Sequence, residues 1–281
     1  MKPVAFDYKR PASLDEALAL IKGNDGSIKL IAGGQSLGPM LNLRIVQPTL
    51  IVDVARLKEL AGVAETKDGL TIGAAVRHAA IEDGEVPDVA NGLLRRVAGG
   101  IAYRAVRNRG TIGGSLSHAD PAGDWAPVMM ALDAVVVARG GTGARDIPAG
   151  QFVQGPLTTA LEADEIAQSV RVPRLSPDAI WGHVKLCRKP GEFAESLAVV
   201  VVDRKRKAIR AVVTSPRHAP VYLAGTAQLI DGLKGWSADA EQKVREAVAA
   251  DLKASKLVGD DAYRLQIHRV TVARAVREAL S

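Results

Sequence analysis

Two short segments of this chain repeat one arrangement: Ala32-Gly33-Gly34-Gln35-Ser36-Leu37 and Thr111-Ile112-Gly113-Gly114-Ser115-Leu116. Each reads as an apolar β-run that stops at paired glycines before a polar residue. Glycine lacks Cβ, so such a loop can adopt positive φ and lets a ligand approach the backbone closely. Successive N–H groups there form a concave nest for anionic oxygens. A single pair among 27 glycines fits an ordinary tight turn. Two of similar composition favour a split anion site. Neither continues into the Lys-Ser/Thr of a Walker loop, and neither matches Gly-x-Gly-x-x-Gly.

At 281 residues the chain suggests two domains, given about 150 residues per domain. Apolar residues at 47% and charged residues at 24% match an ordinary globular core. Three Phe, four Tyr and three Trp leave that core mainly aliphatic and argue against base stacking. The net charge of +6 raises the question of nucleic acid, but basic residues are scattered. The densest run, Arg204-Lys205-Arg206-Lys207, reads as a hairpin tip, with a docking patch for an acidic partner as the alternative. One cysteine, Cys187, excludes an internal disulfide and an internal iron–sulfur cluster, and it reads as a small core filler. No secretory h-region opens the chain and no apolar stretch reaches membrane length, so a cytoplasmic location is expected.

The pattern along the chain is mixed α and β. Val4 to Tyr8 reads as a strand, and Ser13 with Glu16 caps a helix whose Leu14, Ala17, Leu18 and Ile21 share a face. Strands are expected at residues 28–32, 49–54, 69–74, 134–138 and 165–172, and helices at 90–102 and 126–132. Pro173 and Pro177 frame a linker near 173–178. Beyond it, strands at 183–187, 197–203 and 208–215 precede helices at 227–233, 238–253 and 262–280. This is an α+β arrangement.

Residues 32–44, Ala-Gly-Gly-Gln-Ser-Leu-Gly-Pro-Met-Leu-Asn-Leu-Arg, and residues 106–124, Val-Arg-Asn-Arg-Gly-Thr-Ile-Gly-Gly-Ser-Leu-Ser-His-Ala-Asp-Pro-Ala-Gly-Asp, resemble the two FAD signatures of the medium, flavin-binding subunit of molybdenum hydroxylases. The second signature is long and specific, and the resemblance extends over nearly the whole chain. It implies a two-subdomain body of the p-cresol methylhydroxylase type over residues 1–176, with subdomains of about 1–55 and 56–176. A small α+β C-terminal domain over 177–281 follows. It further implies that FAD is held by Ala32, Gly33, Gly34, Gln35, Ser36, Thr111, Ile112, Gly113, Gly114 and Ser115. Ile101, His118, Asp120, Asp124, Ala167 and Lys185 complete the implied cofactor set. Two departures stand out: His183-Val184-Lys185 where the family often has Tyr-x-Lys, and Gly191-Glu192-Phe193-Ala194 where it often has Gly-Asp-Phe-Ala.

The same residues admit other readings. His118 with Asp120 suggests a general base, but its place inside the resembled FAD loop favours binding. Asp120 and Asp124 lack a third ligand for a metal. Arg107 and Arg109 suit neutralisation of a pyrophosphate, with a solvated edge as an equal competitor. The function implied is an FAD-binding electron-transfer subunit. Its iron–sulfur clusters and molybdenum cofactor would reside on a small and a large partner subunit. A stand-alone FAD-dependent oxidoreductase of the same fold is the alternative, and it would need its own acid or base from His118 or His183.

Overall fold

The computed structural model describes residues 1–255 and 261–281. The N-terminal part is a three-stranded parallel sheet in which Leu50–Asp53 lies between Asp7–Lys9 and Ile28–Ile31. The Ser13 hydroxyl accepts the Glu16 N–H at 3.1 Å, and the Glu16 carboxylate reaches back to the Ala12 N–H at 2.6 Å. This reciprocal cap starts helix Leu14–Ile21, whose buried Leu14, Ala17, Leu18 and Ile21 face that sheet's core. The first strand sits later than the apolar pattern suggests, at Asp7–Lys9, with all three residues exposed. Its place is set by pairing with Leu50–Val52 rather than by its own burial.

A five-stranded antiparallel sheet follows, ordered Val63–Glu65, Gly69–Gly73, Ile166–Pro173, Val135–Gly140 and Gly143–Pro148. Helices Leu93–Gly100, Ile112–His118 and Trp125–Ala131 pack beside it around Ile72, Leu93, Val97, Ile112, Trp125 and Val136. The helix expected over 90–102 is trimmed at both ends. Asn91 and Gly92 take positive φ before it, and Ala102 takes φ 43° after it.

The last sheet is antiparallel, in the order Ile180–Leu186, Ser196–Asp203, Ala208–Ser215 and His218–Tyr222. Every residue of Ser196–Asp203 is buried. Side chains alternate along a strand, so Leu197, Val199 and Val201 enter the body's core. Ala198, Val200 and Val202 join a second core under helices Ala224–Gly232, Ala238–Ser255 and Ala262–Leu280. Both faces of this sheet are thus covered, as a continuous Val-rich run requires. The segment 173–178 is not a free linker: the Leu175 N–H bonds the Val89 carbonyl at 2.8 Å, and the Ser176 N–H bonds the Asp203 carboxylate at 2.8 Å. Leu175 is buried in the body's core, which outweighs the local preference of the flanking prolines.

Candidate functional site: two glycine signatures and a buried ion pair

The first signature leaves strand Ile28–Ile31 and enters the short helix Leu37–Asn42. Gly34 has φ +71°, in the left-handed region that favours glycine. Among the described residues, no group of the fold takes the backbone N–H groups of Gly33, Gly34, Gln35 and Ser36. Four consecutive free donors on a half-buried turn make an anion nest.

The second signature corrects the reading of an apolar β-run. Thr111 is the N-cap of helix Ile112–His118, its hydroxyl accepting the Gly114 N–H at 3.0 Å. Gly113 and Gly114 are therefore helical and do not take positive φ. The N–H groups of Ile112, Gly113 and Ser115 are bonded to the carbonyls of Val76, Ala74 and Thr111. The split nest anticipated from the two loops is accordingly one-sided, because its donors lie in the first loop. Ile112 is a core residue with 0% exposure. Gly113 permits close packing: a Cβ there would lie 2.3 Å from the Ala74 Cβ.

The two signatures meet. A Cβ on Gly33 would fall 2.2 Å from the Arg109 carbonyl oxygen and 2.7 Å from the Gly110 Cα. A Cβ on Gly114 would touch the Ala32 Cβ at 4.0 Å. Gly110 is braced in turn by the His78 N–H on its carbonyl, at 2.9 Å. Ala167 is tied to the same place, since its neighbour Gln168 accepts the Ala74 N–H at 2.9 Å. Arg109 is exposed and makes only a long contact, 3.5 Å, to the Gly33 carbonyl, so it remains available to an anion. Arg107 does not. It is paired with Glu82 at 2.7 and 2.9 Å and bonded to the carbonyls of Ile101 and Ala102. Its role is to hold the turn at Ile101, and nothing in the sequence marks Glu82 as its partner across 25 positions.

A second cluster lies beyond the other end of helix Ile112–His118. Asp124, 6% exposed, precedes helix Trp125–Ala131. The Lys185 ammonium lies 2.9 Å from Asp124 Oδ1, donates to Oδ2 at 3.2 Å and reaches the Gly100 carbonyl at 3.4 Å. Asp124 Oδ1 is close to the ammonium but receives no well-directed hydrogen bond. Burial pushes the Asp124 carboxyl above its ordinary range, against the opposing pull of Lys185. His118 stands 4.0 Å from Asp120, whose carboxylate caps the Ala122 N–H at 2.8 Å. Among the described residues no group of three or more His, Cys, Asp or Glu is arranged to hold a metal.

An open cleft of about 550 Å³ lined by Arg77, Asp83, Arg104 and Asn108 lies beside the cradle and includes neither glycine pair. Arg104 there is already paired with Asp83. The cleft is therefore a poor anion site compared with the free donors of Gly33 to Ser36. A dinucleotide's pyrophosphate fits the first loop, and a buried cation at Lys185 fits a group on which negative charge develops.

The α+β fold thus presents a free anion nest at Gly33 to Ser36 and, separately, a buried cation at Lys185, an arrangement that suits a dinucleotide. Residues 4–175 match the family described as the FAD binding domain in molybdopterin dehydrogenase, and the chain belongs to that family as an FAD-binding medium subunit of molybdenum hydroxylase complexes. It is 33% identical to the carbon monoxide dehydrogenase medium chain of Hydrogenophaga pseudoflava, over 99% of this chain and 98% of that one. It is 34% identical to the nicotine 6-hydroxylase medium subunit of Paenarthrobacter nicotinovorans, over 99% of both. The solved carbon monoxide dehydrogenase from Hydrogenophaga pseudoflava superimposes with a TM-score of 0.88, over 99% of this chain and 98% of that chain at 33% identity. Quinoline 2-oxidoreductase from Pseudomonas putida 86 does so with 0.85, over 100% of this chain and 98% of that chain at 30% identity. Among the described residues, no helix is long and apolar enough to cross a membrane.

Proposed function

We propose that this chain is the electron-transfer subunit of its complex, standing between iron–sulfur clusters on a small partner subunit and an external acceptor, with the molybdenum cofactor on a large partner subunit. Bound FAD supplies the redox chemistry of that relay. The chain's own residues bind and orient it. The N–H groups of Gly33 to Ser36 take the pyrophosphate oxygens, Arg109 adds a cation at the rim, and the helix capped by Thr111 backs the loop. Ile101, Asp124 and Lys185 border the flavin end, where Lys185 balances negative charge. His118, Asp120 and Ala167 line the path between the two ends.

The observation that carries this reading is the free nest of the first signature, set directly against the second at Gly33 and Arg109. The lone Cys187 supports donors on another chain, since one thiolate cannot hold a cluster. Two measurements test it. The isolated chain should bind FAD and bind FMN far more weakly, because FMN lacks the second phosphate and the adenosine. It should fail to oxidise substrate until iron–sulfur and molybdenum-cofactor subunits are co-expressed. Substrate-dependent flavin reduction by the single chain would instead establish the stand-alone oxidoreductase.

A further inference from the structure

The six-residue helix His78–Asp83 carries no signature residue, yet its side chains reach both ends of the site. It starts on the second signature: the Ile112 N–H bonds the Val76 carbonyl at 3.0 Å, and the His78 N–H bonds the Gly110 carbonyl at 2.9 Å. Ile81 fixes it to the body's core, and Gly84, with φ +79°, ends it. His78 and Glu82 are four positions apart and so share one face of the helix.

The His78 ring packs on Gly110, whose added Cβ would lie 2.9 Å from the ring Cδ2. Its Nδ1 accepts the indole N–H of Trp125, the residue after Asp124, at 3.1 Å. Burial, then the Arg107 charge, lowers the imidazole to about 4, so the neutral ring can act as that acceptor. One turn further on, the Glu82 carboxylate takes the Arg107 guanidinium at 2.7 and 2.9 Å and the Arg104 guanidinium at 2.9 Å. A Cβ on Gly99 would lie 3.7 Å from Glu82 Oε1, so this carboxylate also abuts the end of helix Leu93–Gly100. Arg107 Nη1 then holds the Ile101 and Ala102 carbonyls at 2.9 and 3.2 Å. Ala102 has φ +43°, a strained conformation for alanine that persists only where its surroundings impose it.

We propose that His78 and Glu82 are positioning residues, and that their shared helix sets the spacing between the pyrophosphate end and the flavin end of the site. This rests on the placement of the pyrophosphate at Gly33 to Ser36 and of the flavin beside Ile101. His78 acts on the nest through Gly110 and Arg109, which stand against Gly33. Glu82 acts on the turn at Ile101 through Arg107. Two residues of one helix should therefore fail in different ways.

The test uses the full chain with FAD and ADP as probes, since ADP carries the adenosine and both phosphates of FAD without the flavin. Glu82→Gln should weaken FAD about tenfold and leave ADP at its wild-type affinity. His78→Leu, which loosens Gly110 and strands the Trp125 indole N–H, should weaken both probes by the same factor of about ten. In an Arg107→Gln background, Glu82→Gln should add no further loss, because the two side chains form one link. Without any ligand, the Ile101 N–H, bonded to the Ala98 carbonyl at 3.2 Å, should exchange its hydrogen about tenfold faster in Glu82→Gln, while the Ile112 N–H keeps its protection. Equal losses of ADP and FAD in Glu82→Gln, or unchanged exchange at Ile101, overturn the proposal, as does a looser Ile101 with FAD affinity intact. If the wild type binds neither probe, the functional reading fails, and exchange at Ile101 still decides whether Glu82 holds the turn. Should either variant not fold, Arg107→Lys, which lacks the guanidinium fork, and His78→Phe, which lacks the acceptor, test the same two links.

Discussion

Gly33→Ala is the sharpest perturbation of the cradle, because its consequences follow from backbone atoms that cannot rotate away. The added Cβ would sit 2.2 Å from the Arg109 carbonyl oxygen and 2.7 Å from both the Arg109 carbonyl carbon and the Gly110 Cα. A relaxed C···O contact is about 3.3–3.6 Å, so the two signatures would have to part by roughly 1 Å. Overpacking of this kind costs about 1–3 kcal/mol. Gly34→Ala offers a control of similar cost and different origin. Its φ of +71° makes alanine pay about 1–2 kcal/mol in backbone strain, while its Cβ meets only the movable Ile31 Cδ1 at 3.2 Å. Urea unfolding of the FAD-free protein should show both variants destabilised by about 2 kcal/mol. Titration with FAD, followed by flavin fluorescence, should separate them. Gly33→Ala moves the nest away from the second signature and should lose at least about tenfold in affinity, or about 1.4 kcal/mol. At a concentration of about 100 times the wild-type Kd, FAD should add about 2.7 kcal/mol of stability to the wild type and visibly less to this variant. Wild-type affinity together with a wild-type unfolding midpoint in Gly33→Ala would refute the meeting of the two signatures at this point.

Gly114→Ala places a Cβ 2.9 Å from the Thr111 hydroxyl that caps the helix, so urea unfolding should show a loss of about 1 kcal/mol, as for a lost cap. Lys185→Met strands the buried Asp124, and breaking such a pair costs about 3–5 kcal/mol. Asp124 has a folded pKa above its unfolded one, so its contribution is present at low pH and lost as pH rises through the folded value. The deficit of Lys185→Met should therefore shrink on acidification and be largely relieved at pH 7 by Asp124→Asn; a deficit independent of pH would count against the pair. His78, His183 and His268 are each lowered to about 4 by burial, and His78 accepts the Trp125 indole N–H at 3.1 Å. Because the unfolded chain binds more protons between about pH 6.5 and 4, each should remove up to about 1.4 kcal/mol of stability per pH unit of acidification in that window. Proton NMR should find all three rings neutral at pH 6; a ring charged there would contradict its burial. Neutralising Arg204, Lys205, Arg206 and Lys207 together should leave FAD binding unchanged, because Arg204 and Lys205 already pair with Asp231 and Asp178 on the chain's own surface.

Local and periodic features were legible from the residues alone. The cap at Ser13, the buried face of helix Leu14–Ile21 and the Val-rich strand Ser196–Asp203 each depend on neighbours within a few positions or on strand alternation. The glycine pairs and the long signature around Thr111 to Asp124 likewise pointed to the dinucleotide. What the glycines do was not legible. A glycine that permits positive φ, as Gly34 does, and one that permits close packing, as Gly33 and Gly113 do, look alike in a sequence. The difference lies in what stands opposite, at Arg109 and Ala74, and those partners are 76 and 39 positions away. The β-run reading of Thr111 and Ile112 failed for the same reason, since the Thr111 cap and the packing against Ala74 decide that segment in favour of helix. Charge followed a similar division. Composition established that the chain is basic, but only the tertiary structure committed Arg107 to Glu82, left Arg109 available and brought Lys185 onto Asp124 across 61 positions. Local order follows from short-range sterics and hydrogen bonding that each residue carries with it, whereas the state of a buried charge depends on which distant groups exclude water from it.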